Sequence, residues 1–168
     1  MGDTAEAFPL TGGVITETEA YAGPGDRACH AYGNRRTRRT ETMYSAGGVA
    51  YIYLCYGIHH LFNVVTNAAG KPFAVLIRAL QPTHGLPAMK RRLGRPAGDS
   101  LGGPGVLTKA LGIRTEYDGT DLTGNMIWIE DRGCRVSRDA IEEAPRIGVD
   151  YAGEDARHHW RFFTRQRE

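Results

Sequence analysis

Val49-Ala50-Tyr51-Ile52-Tyr53-Leu54-Cys55-Tyr56, closed by Gly57, reads as a strand running into a tight turn, and the apolar run from about His60 to Thr66 reads as its returning partner. Strand alternation puts Tyr51, Tyr53 and Cys55 on one face and Ile52, Leu54 and Tyr56 on the other. Working outward, Asn67 to Pro72 is turn-rich and Phe73 to Leu80 is a further apolar strand. On the N-terminal side, Val14 to Tyr21 alternates as another strand, preceded by a Gly12-Gly13 turn and followed by the loop Gly23-Pro24-Gly25-Asp26. Residues 1–12 show no clear element, and 30–48 read as irregular. Leu86 to Leu93 and Pro104 to Leu111 read as short helices, each with proline near its start and glycine just after its end. Met126 to Glu130 and Trp160 to Thr164 complete the expected strands. The pattern predicts a single α+β domain over residues 1–168, built on a mostly antiparallel sheet.

Composition excludes several classes. No apolar run approaches the roughly 18–20 residues of a membrane span, so no membrane partner is expected. The N-terminus lacks the charged and apolar regions of a secretory signal. Cys29, Cys55 and Cys134 are odd in number and contain no C-x-x-C pair, which fits reduced thiols rather than a disulfide framework or a zinc site. These features predict an intracellular, cytoplasmic or nucleoid-associated protein with no metal and no cofactor.

Formal charge is +2, but it is segregated. Residues 1–26 carry a net −5, residues 27–98 a net +10, and residues 99–168 a net −3. The basic block also holds Tyr32, Tyr44, Tyr51, Tyr53, Tyr56 and Phe62. Bases interleaved with aromatics suit a polyanion whose own bases can be stacked, which is nucleic acid. Eighteen of the chain's basic residues are arginine and only Lys71, Lys90 and Lys109 are lysine. Arginine grips phosphate in a planar fork, and Arg35, Arg36, Arg38 and Arg39 are the candidate phosphate contacts. Such a charge run is equally compatible with a solvated surface.

Chemistry concentrates in the strand Thr16-Glu17-Thr18-Glu19-Ala20-Tyr21, where alternation sets Ile15, Glu17, Glu19 and Tyr21 on one face. Two solvated acids on an edge strand would show the same pattern. Arg78 interrupts the otherwise apolar run Phe73 to Leu80. A buried arginine must find an anion, because an unpaired buried charge costs several kcal/mol, and Glu17 or Glu19 is the natural partner. His30 follows the Glu-bearing strand and its loop; alone it is a weak signal. Tyr56 at the hairpin tip is placed to enter a base stack, while Tyr51 also suits cross-strand packing. Together these residues outline a pocket with a carboxylate held ionised by an arginine and aromatic rings to sandwich something flat. A carboxylate beside a cation can orient and deprotonate water. An electron-poor purine is a good leaving group, so one carboxylate can serve where sugars need two.

The blocks Glu17-Thr18-Glu19-Ala20-Tyr21-Ala22-Gly23-Pro24, Ala28-Cys29-His30, Tyr51 to Ile58, Phe62-Asn63, Leu76-Ile77-Arg78-Ala79-Leu80-Gln81-Pro82, Gly103-Pro104-Gly105 and Arg146-Ile147-Gly148-Val149 resemble, in order and spacing, the alkyladenine (methylpurine, 3-methyladenine) DNA glycosylase family. Ala152-Gly153-Glu154 and Arg161-Phe162-Phe163 extend the resemblance, which runs from about residue 13 to residue 165. It implies a monomeric, metal-free, monofunctional enzyme of base excision repair with a curved sheet, short flanking helices and a β-hairpin that inserts into duplex DNA. Such an enzyme flips a damaged purine (3-methyladenine, 7-methylguanine, hypoxanthine or ethenoadenine) out of the duplex and hydrolyses its N-glycosidic bond. By that resemblance Glu19 activates the water, Arg78 supports it, and the carbonyl of Ile147 is a further water ligand. Tyr21, His30 and Tyr53 line the base pocket, Asn63 sits near the purine 2-position, and Tyr56 fills the gap left in the duplex.

The chain departs from the family pattern in three places. The resemblance implies a helix and a strand before the Glu-bearing strand, where this chain offers about a dozen residues without a clear element. Thr37-Arg38-Arg39-Thr40 replaces a Thr-Pro-Arg-Asn segment, and His59-His60 follows Ile58 beside the wedge. Two other classes fit some residues. A glycoside hydrolase could use Glu17 and Glu19, whose Cα atoms lie about 6.5–7 Å apart on one strand face; against it, Trp128 and Trp160 stand far from the motifs in sequence and form no sugar platform. A non-catalytic damaged-DNA binding module is the other.

Overall fold

In the computed structural model, which describes residues 9–164, the tyrosine-rich run forms β2 (Ala50–Cys55) and returns as β3 (His59–Thr66), with Tyr51 opposite Asn63 and Cys55 opposite His59. β3 pairs with β4 (Phe73–His84), and β4 pairs on its other side with β1 (Gly12–Tyr21). The short strand β5 (Leu101–Gly102) also pairs with β4. Beyond β1 come β7 (Arg161–Thr164) and then β6 (Ile141–Ala144), so the order is β2-β3-β4-β1-β7-β6 and every ladder is antiparallel. Helices α1 (Leu86–Leu93) and α2 (Pro104–Leu111) have proline in the first turn, and each ends at a left-handed glycine, Gly94 or Gly112. The expected α+β class and antiparallel sheet are what the chain adopts.

The two faces of the sheet diverge in chemistry because strand alternation separates them. Ile52, Phe62 and Ile77 point to one side, joined beyond the register shift at Arg78 by Leu80, and pack with Met89 of α1 and Leu107 and Ala110 of α2. Tyr51, Val65 and Ala74 point to the other, against Cys29, Ala31, Met43 and Tyr44 of the irregular 28–44 segment. Arg78 falls on this second face, in step with Ala74 and Leu76 on β4. An arginine inside an apolar strand thus reaches the polar side without disturbing the helix-packed core.

Two expectations are corrected. Gly12-Gly13 is the start of β1, not a turn; a Cβ on Gly13 would stand 2.2 Å from the carbonyl oxygen of Gln81, so the close β1–β4 approach requires glycine there. Met126 to Glu130 is not a strand. The outer edge of β2 that it would need is taken by the preceding segment, through Ala50 N–H to Thr120 O (2.8 Å) and Leu122 N–H to Gly48 O (2.8 Å). The strand that does form in this part of the chain is β6, whose Ile-Glu-Glu-Ala sequence carries no alternation to announce it. Of the residues expected to lack structure at the N-terminus, 1–8 lie outside the described residues.

Candidate active site

Glu19 is buried near the C-terminal end of β1, with a relative exposure of 0%. One carboxylate oxygen, Oε1, accepts the backbone N–H of Ile147 (2.8 Å) and stands 3.4 Å from Arg78 Nη1. The other, Oε2, accepts the Tyr21 hydroxyl at 2.9 Å. A carboxylate offers about four lone-pair sites, so one more donor, such as a water, can be accommodated. Burial, and then the Glu19 charge, push the Tyr21 hydroxyl far above its ordinary range, so it remains a donor to the carboxylate. Ile147 is therefore linked to Glu19 by its N–H; the expected water ligand was its carbonyl.

Arg78 answers both acids of the strand. Its Nε donates to Glu17 Oε1 at 2.9 Å, and the same oxygen accepts Arg161 Nη1 at 3.1 Å. Register shifts in the β1–β4 ladder at Ile15/Glu17 and Glu17/Thr18 aim both carboxylates at one guanidinium. Glu17 is thus a clamp between two arginines, whereas Glu19 is contacted by three residues, Arg78, Tyr21 and Ile147, that line a cavity.

That cavity has a volume of about 520 Å³ and lies on the second face of the sheet. Tyr21, His30, Tyr53, Asn63, Arg78 and Ile147 all border it, and so does Tyr56 at its mouth. The His30 and Tyr53 rings meet edge to face, with centroids 4.6 Å apart. His30 Nδ1 shares a 2.9 Å hydrogen bond with the hydroxyl of Tyr51, which is both packed and part of the wall. Burial, followed by the nearby charges of Arg39 and Arg35, pushes the imidazole down to about 4, leaving it neutral at physiological pH. Asn63 is buried and satisfied, its amide donating to Tyr51 O at 3.1 Å.

The hairpin tip is exposed and conformationally costly. Tyr56 is 90% exposed, with φ 49°, and Gly57 follows at φ 73°. A bulky aromatic residue in the left-handed region is a genuine outlier, held here by the turn bond from Ile58 N–H to Cys55 O (3.1 Å). The four candidate phosphate contacts divide. Arg36 is tied to both oxygens of Glu41 (2.9 and 2.6 Å) and lies over the Tyr44 ring. Arg39 lies over Tyr53 at 5.1 Å and borders the cavity, while Arg35 and Arg38 are exposed. The three cysteines are free, with Cys55 bordering the cavity.

Sequence reasoning passed over one buried pair. Arg146 donates to both oxygens of Asp26, and both side chains are sealed from solvent. Burial alone would raise the Asp26 carboxyl, but the Arg146 fork and the amides of Ala22 and Ala28 outweigh it and hold the group below its ordinary value. Arg146 also carries the guanidinium between the rings of Tyr21 (4.8 Å) and Trp160 (5.0 Å). Trp160, distant from the motifs in sequence, is therefore beside the Glu-bearing strand in space. Asp26 in its Gly-Pro-Gly-Asp loop and Arg146 just before Ile147 were visible as charges flanking site residues, but nothing in the sequence couples them across 120 positions.

A family model described as Methylpurine-DNA glycosylase (MPG) matches residues 4–168. Among curated relatives, a Bacillus licheniformis protein is 51% identical over 154 residues, covering 91% of this chain and 76% of its own length. One from Chlamydia felis is 47% identical, covering 90% of this chain and 78% of its own, and one from Bacillus cytotoxicus is 45% identical, covering 90% and 79%. All three bear the name "Putative 3-methyladenine DNA glycosylase". Among the described residues, no helix is long and apolar enough to cross a membrane.

Proposed function

We propose that this chain, which belongs to the methylpurine-DNA glycosylase family, is a monofunctional hydrolase that excises alkylated or deaminated purines from duplex DNA. The observation that carries the reading is Glu19: a fully buried carboxylate whose guanidinium partner and two hydrogen-bond donors, Arg78, Tyr21 and Ile147, all line an aromatic cavity large enough for a purine.

The chemistry follows from that geometry. A damaged nucleotide rotated out of the duplex places its base among Tyr21, His30 and Tyr53. A purine alkylated at N3 or N7 is cationic, and the faces of tyrosine rings attract such a ring. Neutral His30 adds no opposing charge. Glu19 takes a proton from water as its oxygen bonds to C1′ of the sugar; the glycosidic C–N bond breaks and its electron pair leaves with the base. Arg78, 3.4 Å from Glu19 Oε1, holds the carboxylate in place as it accepts that proton. None of the chain's three lysines borders the cavity, which supports attack by water rather than by an amine. Tyr56, exposed and held in a strained turn, fills the space left by the rotated nucleotide, and Arg35, Arg38 and Arg39 meet phosphates around it. Asn63 stands against the 2-amino group of normal guanine. The chain works as a monomer on damaged duplex DNA.

A glycoside hydrolase built on Glu17 and Glu19 is disfavoured because both acids share Arg78 and Glu17 is clamped a second time by Arg161. A binding-only module leaves the Glu19 arrangement without a purpose.

The test is an end-labelled duplex containing one hypoxanthine, incubated with protein and then treated with alkali. Wild type is expected to give a strand break at the lesion, and Glu19→Gln to bind the same duplex without cutting it. Cutting by Glu19→Gln at the wild-type rate would remove Glu19 from the mechanism; binding with no cutting by folded wild type would favour the binding-only module.

A further inference from the structure

We propose that Arg146, fixed by Asp26, is a positioning residue that sets the two hydrogen bonds on Glu19 and thereby controls the rate of the chemical step; this rests on the glycosylase reading. Arg146 is held on five sides. Its two terminal nitrogens engage Asp26, the Ala20 carbonyl (2.9 Å) and the Asp155 carbonyl (3.2 Å). Tyr21 and Trp160 cover it from the remaining directions, and His158 stacks on the outer side of Trp160 with ring centroids 4.4 Å apart.

Two of these contacts, Ala20 and Tyr21, and Arg146 itself lie at or next to a hydrogen-bond partner of the catalytic carboxylate. Ala20, whose carbonyl Arg146 binds, separates Glu19 from Tyr21. Tyr21, whose ring Arg146 supports, donates to Glu19 Oε2. Ile147, the next residue after Arg146, donates to Glu19 Oε1. The segment carrying Ile147 has no strand or helix of its own between β6 and the turn at Asp150, so its position against β1 depends on side-chain contacts. A single guanidinium therefore fixes both donors that aim the carboxylate at its water. Misplacement of a catalytic group by an ångström can cost on the order of a hundredfold in rate.

The fork is what lysine cannot copy. Arg146→Lys keeps the charge beside Asp26 but cannot reach both Asp26 oxygens and both carbonyls together. The experiment measures single-turnover excision of hypoxanthine at saturating protein, the half-saturating concentration, the thermal melt, and amide hydrogen exchange at Ile147 by NMR. For Arg146→Lys the expected result is a rate lower by roughly tenfold or more, a half-saturating concentration within about threefold of wild type, and lost protection at Ile147. The Val65 amide, which bonds to Val49 O in the sheet, keeps its protection and reports that the fold is intact. Trp160→Leu, which removes one covering ring and leaves the Asp26 fork, serves as the milder variant and is expected to show a smaller loss of the same kind. Wild-type rate and Ile147 protection in a folded Arg146→Lys protein would overturn the proposal. So would a change confined to the half-saturating concentration, since that is loss of a binding surface. If wild type excises no damaged purine, the functional reading fails, and Ile147 protection alone then decides whether Arg146 positions the segment.

Discussion

Removing Arg78 should cost several kcal/mol of stability, and removing Glu19 in addition should restore most of it. At 3.4 Å, and with an effective dielectric of about 20, the Arg78–Glu19 attraction is about 5 kcal/mol before desolvation is counted. Neither side chain is appreciably exposed, so solvent screening relieves little of it. In Arg78→Met, Glu17 keeps Arg161 as a partner, but Glu19 has only the Tyr21 and Ile147 donors and no cation in direct contact, Arg146 lying beyond the Tyr21 ring. Breaking a buried pair in this way costs about 3–5 kcal/mol, equivalent to a fall in Tm of about 6–20 °C for a chain of this size. Glu19→Gln alone should cost only about 1 kcal/mol: the Gln oxygen still accepts from Ile147, and its NH₂ can donate to a Tyr21 hydroxyl that has turned from donor to acceptor. In the double variant no orphan carboxylate remains, so its stability should approach that of Glu19→Gln less the weakened Glu17 clamp. Urea unfolding of the four proteins closes the cycle, with an expected coupling of about 2–4 kcal/mol. Excision should be absent from both Gln-bearing proteins and reduced but measurable in Arg78→Met. Additivity within about 0.5 kcal/mol would refute the reasoning, because it would mean that Arg78 answers Glu17 alone.

The strained hairpin tip and the buried imidazole make further predictions. Tyr56→Asn, which places a residue tolerant of φ 49° at that position, should raise Tm by about 2–4 °C, a gain of about 1 kcal/mol, while weakening binding to lesion duplex in a fluorescence titration; an unchanged affinity would make Tyr56 a bystander. His30, with its folded pKa pushed down to about 4 against about 6.5 when unfolded, binds its proton more readily in the unfolded chain. Stability should therefore be complete above about pH 6.5 and fall towards pH 4, by at most about 3 kcal/mol from this group, and His30→Gln should flatten that part of the urea-midpoint profile. An unaltered profile would show that another group carries the dependence.

How much of this was legible in the sequence depended on whether the signal was local. The hairpin, β4 and both helices were readable because their alternation, prolines and terminal glycines lie within each segment. The pocket was readable for the same reason: Tyr51, Tyr53, Asn63, Arg78 and Glu19 share a sheet face because alternation on four adjoining strands places them there, and an arginine in an apolar strand demands an anion wherever the strand is put. Met126–Glu130 misled because alternation states what a segment could pair with, not whether an edge is free, and the edge of β2 is already occupied by 119–122. The Asp26–Arg146 pair was invisible on other grounds. Its partners lie in two irregular loops, where no periodicity fixes which way a side chain points, and its value comes from six contacts that exist only after β1, β7 and the 145–150 segment have assembled. Glu19 is consequently the most legible residue of the site and its surroundings the least, since the first follows from strand chemistry and the second from contacts such as Ile147 N–H, more than a hundred residues away.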